Sequence, residues 1–449
     1  MLAAFVLIAA VYVFDTIYRK SPERCASFRK FSETYIINKP YRIEICIFVF
    51  AAVILFILNG NKHIFYNNYS YLADAFIHGH LDTPDLPSYL ESVEFGGHKY
   101  MHFAPGPAVL SIPFVAMFGV DGFNAGYLCM ALGAANCVLF YKVICNMGIG
   151  ETLRDRLWFT AFATFGVVHL FLAAVAHSWF FGHTSTWFFL LFAMYFITKE
   201  NPKNQSVYCF LGGLFFGMAV TCRLSNLIAA IFLMGYILLY KPEKIKGVIL
   251  FCCGAAIPGG LYMLYNFVRF GTILDKSYNL THLKDYFRDR YDEMQTLTTK
   301  KEQLEYLTNA EKEVGGPLQL QFVKHNLYSI FLMMPQYTEE YPYIIPLMTG
   351  VSITFLSPAL YFFVLADWKK KLTWLLTATM ILSAFPFLLN YGNGMAQFGM
   401  RYAMDFLPYM ILLACMGMKS VDGLKALLIS YCIFANIWGP IYWRFFYIG

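Results

Sequence analysis

Segment 61–103 gathers titratable side chains in a chain that is otherwise strongly apolar. It holds Asp74, Asp82, Asp85, Glu91 and Glu94, together with His63, His78, His80, His98 and His102. Carboxylates and imidazoles are the groups that take a proton from a hydroxyl near neutral pH. Asp74 stands in Tyr71-Leu72-Ala73-Asp74-Ala75-Phe76, just past an apolar stretch. On a helix it shares a side with Ser70, Tyr71 and His78. A carboxylate at the edge of a low-dielectric region can have a raised pKa and act as a base, so Asp74 is the expected catalytic base. The plainer reading is a solvated loop acid. The later acids, Asp82, Asp85, Glu91 and Glu94, lie along a stretch that contains Pro84 and Pro87 and are expected to loop into solvent.

Three arginines stand at the ends of apolar runs. Arg223 separates Phe215–Cys222 from Leu227–Tyr240, Arg269 follows Tyr265-Asn266-Phe267-Val268, and Arg401 precedes Tyr402 and Asp405. Arginine is costly in lipid and marks a partner when it occurs there. A guanidinium fork fits a phosphate, so the three are expected to converge on one. Snorkelling to headgroups, or an internal Arg401–Asp405 pair, is the plainer alternative. His177 and His183 bracket Ser178-Trp179-Phe180-Phe181-Gly182. Their spacing does not put both on one helical face, so a metal pair is not expected. One of them could support a substrate hydroxyl or phosphate.

The elements that must position these groups are membrane helices. Of 449 residues, 58% are hydrophobic and 14% charged, against about 25% charged in an average soluble protein. Mean hydropathy is +0.52. Eleven cysteines include no C-x-x-C pair. Most lie in apolar runs, where Cys behaves as a small hydrophobe. No Walker loop, dinucleotide fingerprint, nucleophile elbow or zinc-peptidase motif is present. The net charge of +6 lies mostly in short loops and does not imply nucleic acid.

Hydropathy predicts about twelve spans, near 2–17, 43–60, 123–145, 157–176, 184–198, 207–222, 224–240, 248–267, 343–366, 374–390, 402–417 and 424–441. The stretch Ala108–Phe118 is too short to cross a bilayer, which takes about 20 apolar residues, and is expected to lie at the surface. Arg19, Lys20, Arg24, Arg29, Lys30, Lys39 and Arg42 crowd the first connection. Every second loop after it is basic as well, which places those loops in the cytoplasm by the positive-inside rule. Segments 61–122 and 268–342 then face outward, and 1–449 reads as one membrane domain. No cleavable leader is expected, because no positive region precedes residues 2–14.

Tyr71-Leu72-Ala73-Asp74-Ala75-Phe76-Ile77-His78-Gly79-His80-Leu81, followed by Pro105-Gly106-Pro107 through Phe118-Gly119, resembles the first external loop of GT-C glycosyltransferases. That superfamily includes the protein O-mannosyltransferases and the lipid A aminoarabinose transferases. Tyr265-Asn266-Phe267-Val268-Arg269-Phe270-Gly271 and Phe398-Gly399-Met400-Arg401-Tyr402, with Asp405 and Pro408, are similar to motifs of many bacterial members. Many members carry an acidic pair where this chain has Asn67-Asn68. The base then shifts to Asp74.

The resemblance implies an all-α polytopic fold with interfacial helices in the first external loop. It implies a sugar donor on a polyprenyl phosphate, with a glycan, lipid or protein acceptor. A base deprotonates the acceptor hydroxyl, which displaces the lipid phosphate from the anomeric carbon, and arginines stabilise the leaving phosphate. The expected substrate-binding set is Arg223, Arg269, Arg401, His183, Tyr265 and His102, with no metal ligand and no cofactor assigned. The alternatives are a transporter or flippase of lipid-linked saccharide, and a polysaccharide polymerase or ligase. A transporter needs polar residues within its spans, whereas here they gather at the outer ends.

Overall fold

The computed structural model describes residues 1–20 and 39–447. The basic residues Arg24, Arg29 and Lys30 of the first connection lie outside the described residues. Helices dominate: α1 (Leu2–Lys20), α2 (Pro40–Asn59), α3 (Asn68–Ile77), α4 (Gly106–Gly122), α5 (Ala125–Asn146), α6 (Leu153–Phe165), α7 (His169–Val175), α8 (Ser178–Thr198), α9 (Gln205–Cys222), α10 (Ala230–Tyr240), α11 (Lys244–Phe270), α12 (Ser277–Tyr286), α13 (Arg288–Gln295), α14 (Lys300–Val314), α15 (Val323–Phe331), α16 (Ile353–Leu356), α17 (Lys371–Leu389), α18 (Leu407–Met418) and α19 (Gly423–Phe445). Two short hairpins interrupt them, β1 (Val93–Phe95) with β2 (His98–Tyr100), and β3 (Gln336–Tyr337) with β4 (Ile344–Ile345).

Among the described residues, seven helices are long and apolar enough to cross a membrane, or eight if the bent pair α6–α7 counts as one span. Three shorter apolar helices accompany them, at Gly106–Gly122, Leu224–Tyr240 and Leu407–Met418. The expected count of about twelve is therefore not reached by full-length helices. The clearest departure is 343–366, which is not one span. Pro346, Gly350 and Pro358 divide it, since proline lacks an N–H and clashes with the preceding turn. It becomes strand β4, helix α16 and a 3-10 helix at Pro358–Leu365.

One end of the bundle is tied by basic side chains. Arg154 Nη2 donates to Asp15 Oδ2 at 2.7 Å and Trp158 Nε1 donates to Asp15 Oδ1 at 3.2 Å. Lys241 Nζ donates to the Lys199 carbonyl at 2.8 Å. Segments 61–105 and 271–316 pack together at the other end. Lys284 Nζ donates to the Ser92 carbonyl (2.7 Å), Glu94 N to Tyr291 Oη (2.7 Å) and Gly96 N to Gln303 Oε1 (2.7 Å). Val93, Phe95 and Tyr100 of the hairpin share a small core with Phe270, Leu283, Met294 and Leu307.

Within the bundle α9 and α11 approach at backbone distance. A Cβ on Gly213 would stand 1.9 Å from the Phe251 carbonyl oxygen, and one on Gly254 would stand 2.1 Å from that of Phe210. Small residues allow such crossings where helices pack in lipid.

Candidate functional site

The site is built around Tyr402, in the 3-10 helix Arg401–Asp405. Trp187 of α8 holds that turn by donating its indole N–H to the Met404 carbonyl at 2.7 Å. Three cationic or ionisable groups then surround the Tyr402 ring. The guanidinium of Arg401 lies 5.1 Å from its centroid, that of Arg223 5.5 Å, and the His183 ring 6.0 Å. Cations over aromatic faces are favoured by the ring quadrupole.

Arg223 occupies the C-terminal cap of α9, where the chain turns into a 3-10 segment. Its Nε and Nη2 donate to Asp405 at 3.2 and 3.1 Å, and Asn226 Nδ2 adds a third bond to Asp405 at 3.2 Å. Burial works against the Arg223 charge, but Asp405 more than compensates and holds its pKa above the ordinary value. The Arg401–Asp405 pair, the plainer alternative, does not form: Asp405 pairs with Arg223, and Arg401 donates to the Met395 carbonyl at 3.1 Å. His183 is enclosed, 1% exposed, and neither ring nitrogen has a hydrogen-bond partner. Ser185 Oγ, Ser225 Oγ and Tyr409 Oη are also buried without partners. Buried polar atoms are paired in the great majority of cases, so the unpartnered His183 ring marks a place suited to a polar ligand.

The acid that reaches this cluster is Glu91. Its Oε2 accepts from Trp179 Nε1 at 2.8 Å, and lies 3.5 Å from His102 Nε2. Trp179 in turn carries Arg401 over its ring at 5.9 Å. Tyr278 completes the cleft. Its ring meets that of His102 edge-on at 6.0 Å, and the charges of Arg223 and Arg401 act on its hydroxyl. Tyr278 remains 41% exposed and the Glu91 side chain 49%, so the cleft opens to solvent at these two residues. Burial holds the His102 pKa below its ordinary value despite the pull of Glu91. Asp285 is shifted the other way, by burial and by the charge of Glu91.

Glu91 is exposed, as expected for the acids of this stretch, but its segment is held against the protein and does not loop away from it. The β1–β2 hairpin is the physical reason. It pairs Val93 with Tyr100 and Phe95 with His98, leaving Gly96-Gly97 as a two-residue turn with φ of 60° and 74°. Such turns take Gly at both positions. The hairpin folds the chain back against α12–α14. Asn68 Nδ2 then fixes the Glu91 carbonyl at 3.2 Å, while its backbone N–H donates to Ser178 Oγ at 2.9 Å. Asn68 thus serves as a clamp on the segment that carries the acid.

The structure does not bring Asp74 to this cluster. Asp74 lies on α3, as expected, with its Oδ2 3.6 Å from His78 Nδ1. It lines a separate surface groove of about 300 Å³ with Tyr71, His80, Thr83 and Asp85. At about 100° per residue, Asp74 is turned roughly 140° from Tyr69 on the same helix. Tyr69 is the residue that faces the cluster: it is 3% exposed, feels the charge of Arg223, and its hydroxyl sits 3.0 Å from where a Cβ on Gly182 would stand.

Arg269 packs among a different set of rings from Arg223 and Arg401, although its charge acts on His102. It is fully buried, donates to the Met101 carbonyl at 2.9 Å, and is ringed by Phe270, Tyr265 and Tyr100 at 4.3, 4.5 and 5.2 Å. Its Nε and Nη1, and the Tyr265 hydroxyl, have no partner. Of the predicted residues, Arg223, Arg401 and His183 converge, His102 joins them through Glu91, and Asp74, Arg269 and Tyr265 do not. Among the described residues no group of three or more His, Cys, Asp or Glu is arranged to hold a metal ion.

No known family description matches the sequence, and no curated protein matches it. A solved structure of the archaeal oligosaccharyltransferase AglB from Archaeoglobus fulgidus, in complex with an inhibitory peptide and a dolichol-phosphate, aligns with 86% of this chain and 50% of its own, at 12% identity and TM-score 0.47. The present chain spans about half the length of that protein.

Proposed function

We propose that this chain is a membrane glycosyltransferase of the GT-C kind, moving a sugar from a polyprenyl-phosphate donor to an acceptor hydroxyl at the outer face of the membrane. The observation that carries the reading is the meeting of Arg223, Arg401 and His183 at the ends of membrane helices, next to a solvent-reachable carboxylate, Glu91. Two guanidiniums and an imidazole suit a lipid-borne phosphate. The acid suits the acceptor.

In this reading Glu91 replaces Asp74 as the base. It takes the proton of the acceptor hydroxyl, whose oxygen attacks the anomeric carbon. The bond from that carbon to the phosphate oxygen breaks, and the lipid phosphate leaves with the electron pair. Arg401 and Arg223 face the charge that develops there. Asp405 keeps Arg223 from rotating away, and Trp179 holds the Glu91 carboxylate in place. One in-line displacement inverts the anomeric centre.

The test is donor binding. Arg401→Gln removes a charge-assisted hydrogen bond worth about 1.5–3 kcal/mol, so donor affinity should fall by one to two powers of ten. Arg223→Gln alone strands Asp405, so Arg223→Gln is combined with Asp405→Asn. That pair should keep the fold and still bind donor weakly. Parental donor affinity in both proteins would overturn the phosphate assignment.

A further inference from the structure

A cavity of about 170 Å³ lies beside the α7–α8 turn, where its lining residue Tyr66 packs against Trp179 of the candidate site at 4.6 Å. It opens between the ends of α2 and α19. Lys62, His63, His177 and Arg444 line it, and among the described residues no carboxylate does. Trp443 and Tyr447 form one wall, stacked at 3.7 Å and 16°. His177 Nδ1 is buried without a partner.

The two permanent cations are positioned rather than loose. Lys62 Nζ donates to the Arg444 carbonyl at 2.9 Å, and Arg444 Nη1 donates to the Ile57 carbonyl at 3.3 Å. A lysine has three donors and an arginine five, so each retains N–H groups for a ligand. Gly60 makes room for this. It closes α2 with φ 67°, and a Cβ there would fall 2.2 Å from the Arg444 guanidinium carbon. Below the cavity α2 presents an exposed apolar face at Val49, Val53, Phe56 and Ile57. A cationic cavity above an apolar, membrane-length helix face fits a molecule with an anionic head and a hydrocarbon tail.

We infer that this cavity seats the phosphate of an anionic membrane lipid, at a place separate from the donor phosphate. Lys62 and Arg444 supply charge, the His177 ring supplies a hydrogen-bonding nitrogen, and Trp443 and Tyr447 flank the head. The proposal does not depend on the enzymatic reading.

Short-chain phosphatidylglycerol and phosphatidylcholine, titrated separately into the full-length protein in neutral detergent, test it. Phosphatidylglycerol should bind more tightly. Lys62→Gln and Arg444→Gln should each weaken it about fivefold, since a basic residue near an anionic lipid is worth about 1 kcal/mol. Arg444→Lys keeps the charge and should retain the preference, which separates loss of charge from loss of fold. Lys244→Gln, at the far end of the bundle, should change nothing. Equal affinity for the two lipids would overturn the proposal, as would a preference untouched by both Gln variants. Equal binding of inorganic phosphate would overturn the lipid assignment.

Discussion

At the scale of single residues, the decision lies between two acids. Glu91 touches Trp179 and approaches His102, whereas Asp74 meets His78 in a groove facing away from the arginines. General-base catalysis contributes about 10²–10⁴-fold. Glu91→Gln should therefore lower sugar transfer by that order while donor still binds, and Asp74→Asn should stay near the parental rate. A severe loss in Asp74→Asn with an active Glu91→Gln would return the role to Asp74. His102 gives a pH-dependent prediction. Burial lowers its pKa in the folded protein, whereas unfolded histidine titrates near about 6.5. Below that pH the unfolded chain binds a proton that the folded chain refuses, so stability falls as pH drops. Thermal midpoints measured between neutral and mildly acid pH should fall less in His102→Gln than in the parent. Identical slopes would exclude His102 as a contributor. The arginines were legible as residue types at the ends of apolar runs. Their pairing was not, because Asp405 lies near Arg401 in sequence but meets Arg223, 182 residues away.

Elements were read better than their contacts. The helix carrying Asp74 and the short helix over Ala108–Phe118 both appear, because local apolar patterning and turn residues determine them. The β1–β2 hairpin was missed, although Gly96-Gly97 between Val93–Phe95 and His98–Tyr100 is a recognisable turn signal. That omission cost the placement of Glu91. The apolar character of 343–366 hid its prolines in the opposite way, by suggesting a span where the backbone breaks. The α9–α11 crossing yields a prediction of its own. Gly213→Ala places a methyl against the Phe251 backbone, which cannot move as a side chain tip can. Overpacking of this kind costs about 1–3 kcal/mol. The variant should lose thermal stability in detergent, while Gly260→Ala, with open space around it, should not.

For the whole molecule, the basic alternation and the packing bear on one question of sidedness. Segments 61–105 and 271–316 are bonded to each other, so both must lie on one side of the membrane. Lys370 stands at the N-cap of α17, whose other end, at Phe387 and Leu388, receives hydrogen bonds from Asn326. Cysteines introduced near Thr83, at the exposed Asp85, and at Thr296 should both react with an impermeant reagent on intact cells, and one at Lys370 should not. Labelling at Lys370 with protection of the other two would invert the orientation. The tie between the two segments also sets an order of assembly. Glu94 meets its Tyr291 partner across 197 residues. At about 5–20 residues per second of synthesis, the hairpin waits roughly 10–40 s after emerging for this partner. The partner of Arg223 arrives later still, at Asp405. The Arg223–Asp405 pair, and with it the candidate site, is therefore complete only when the last helices join.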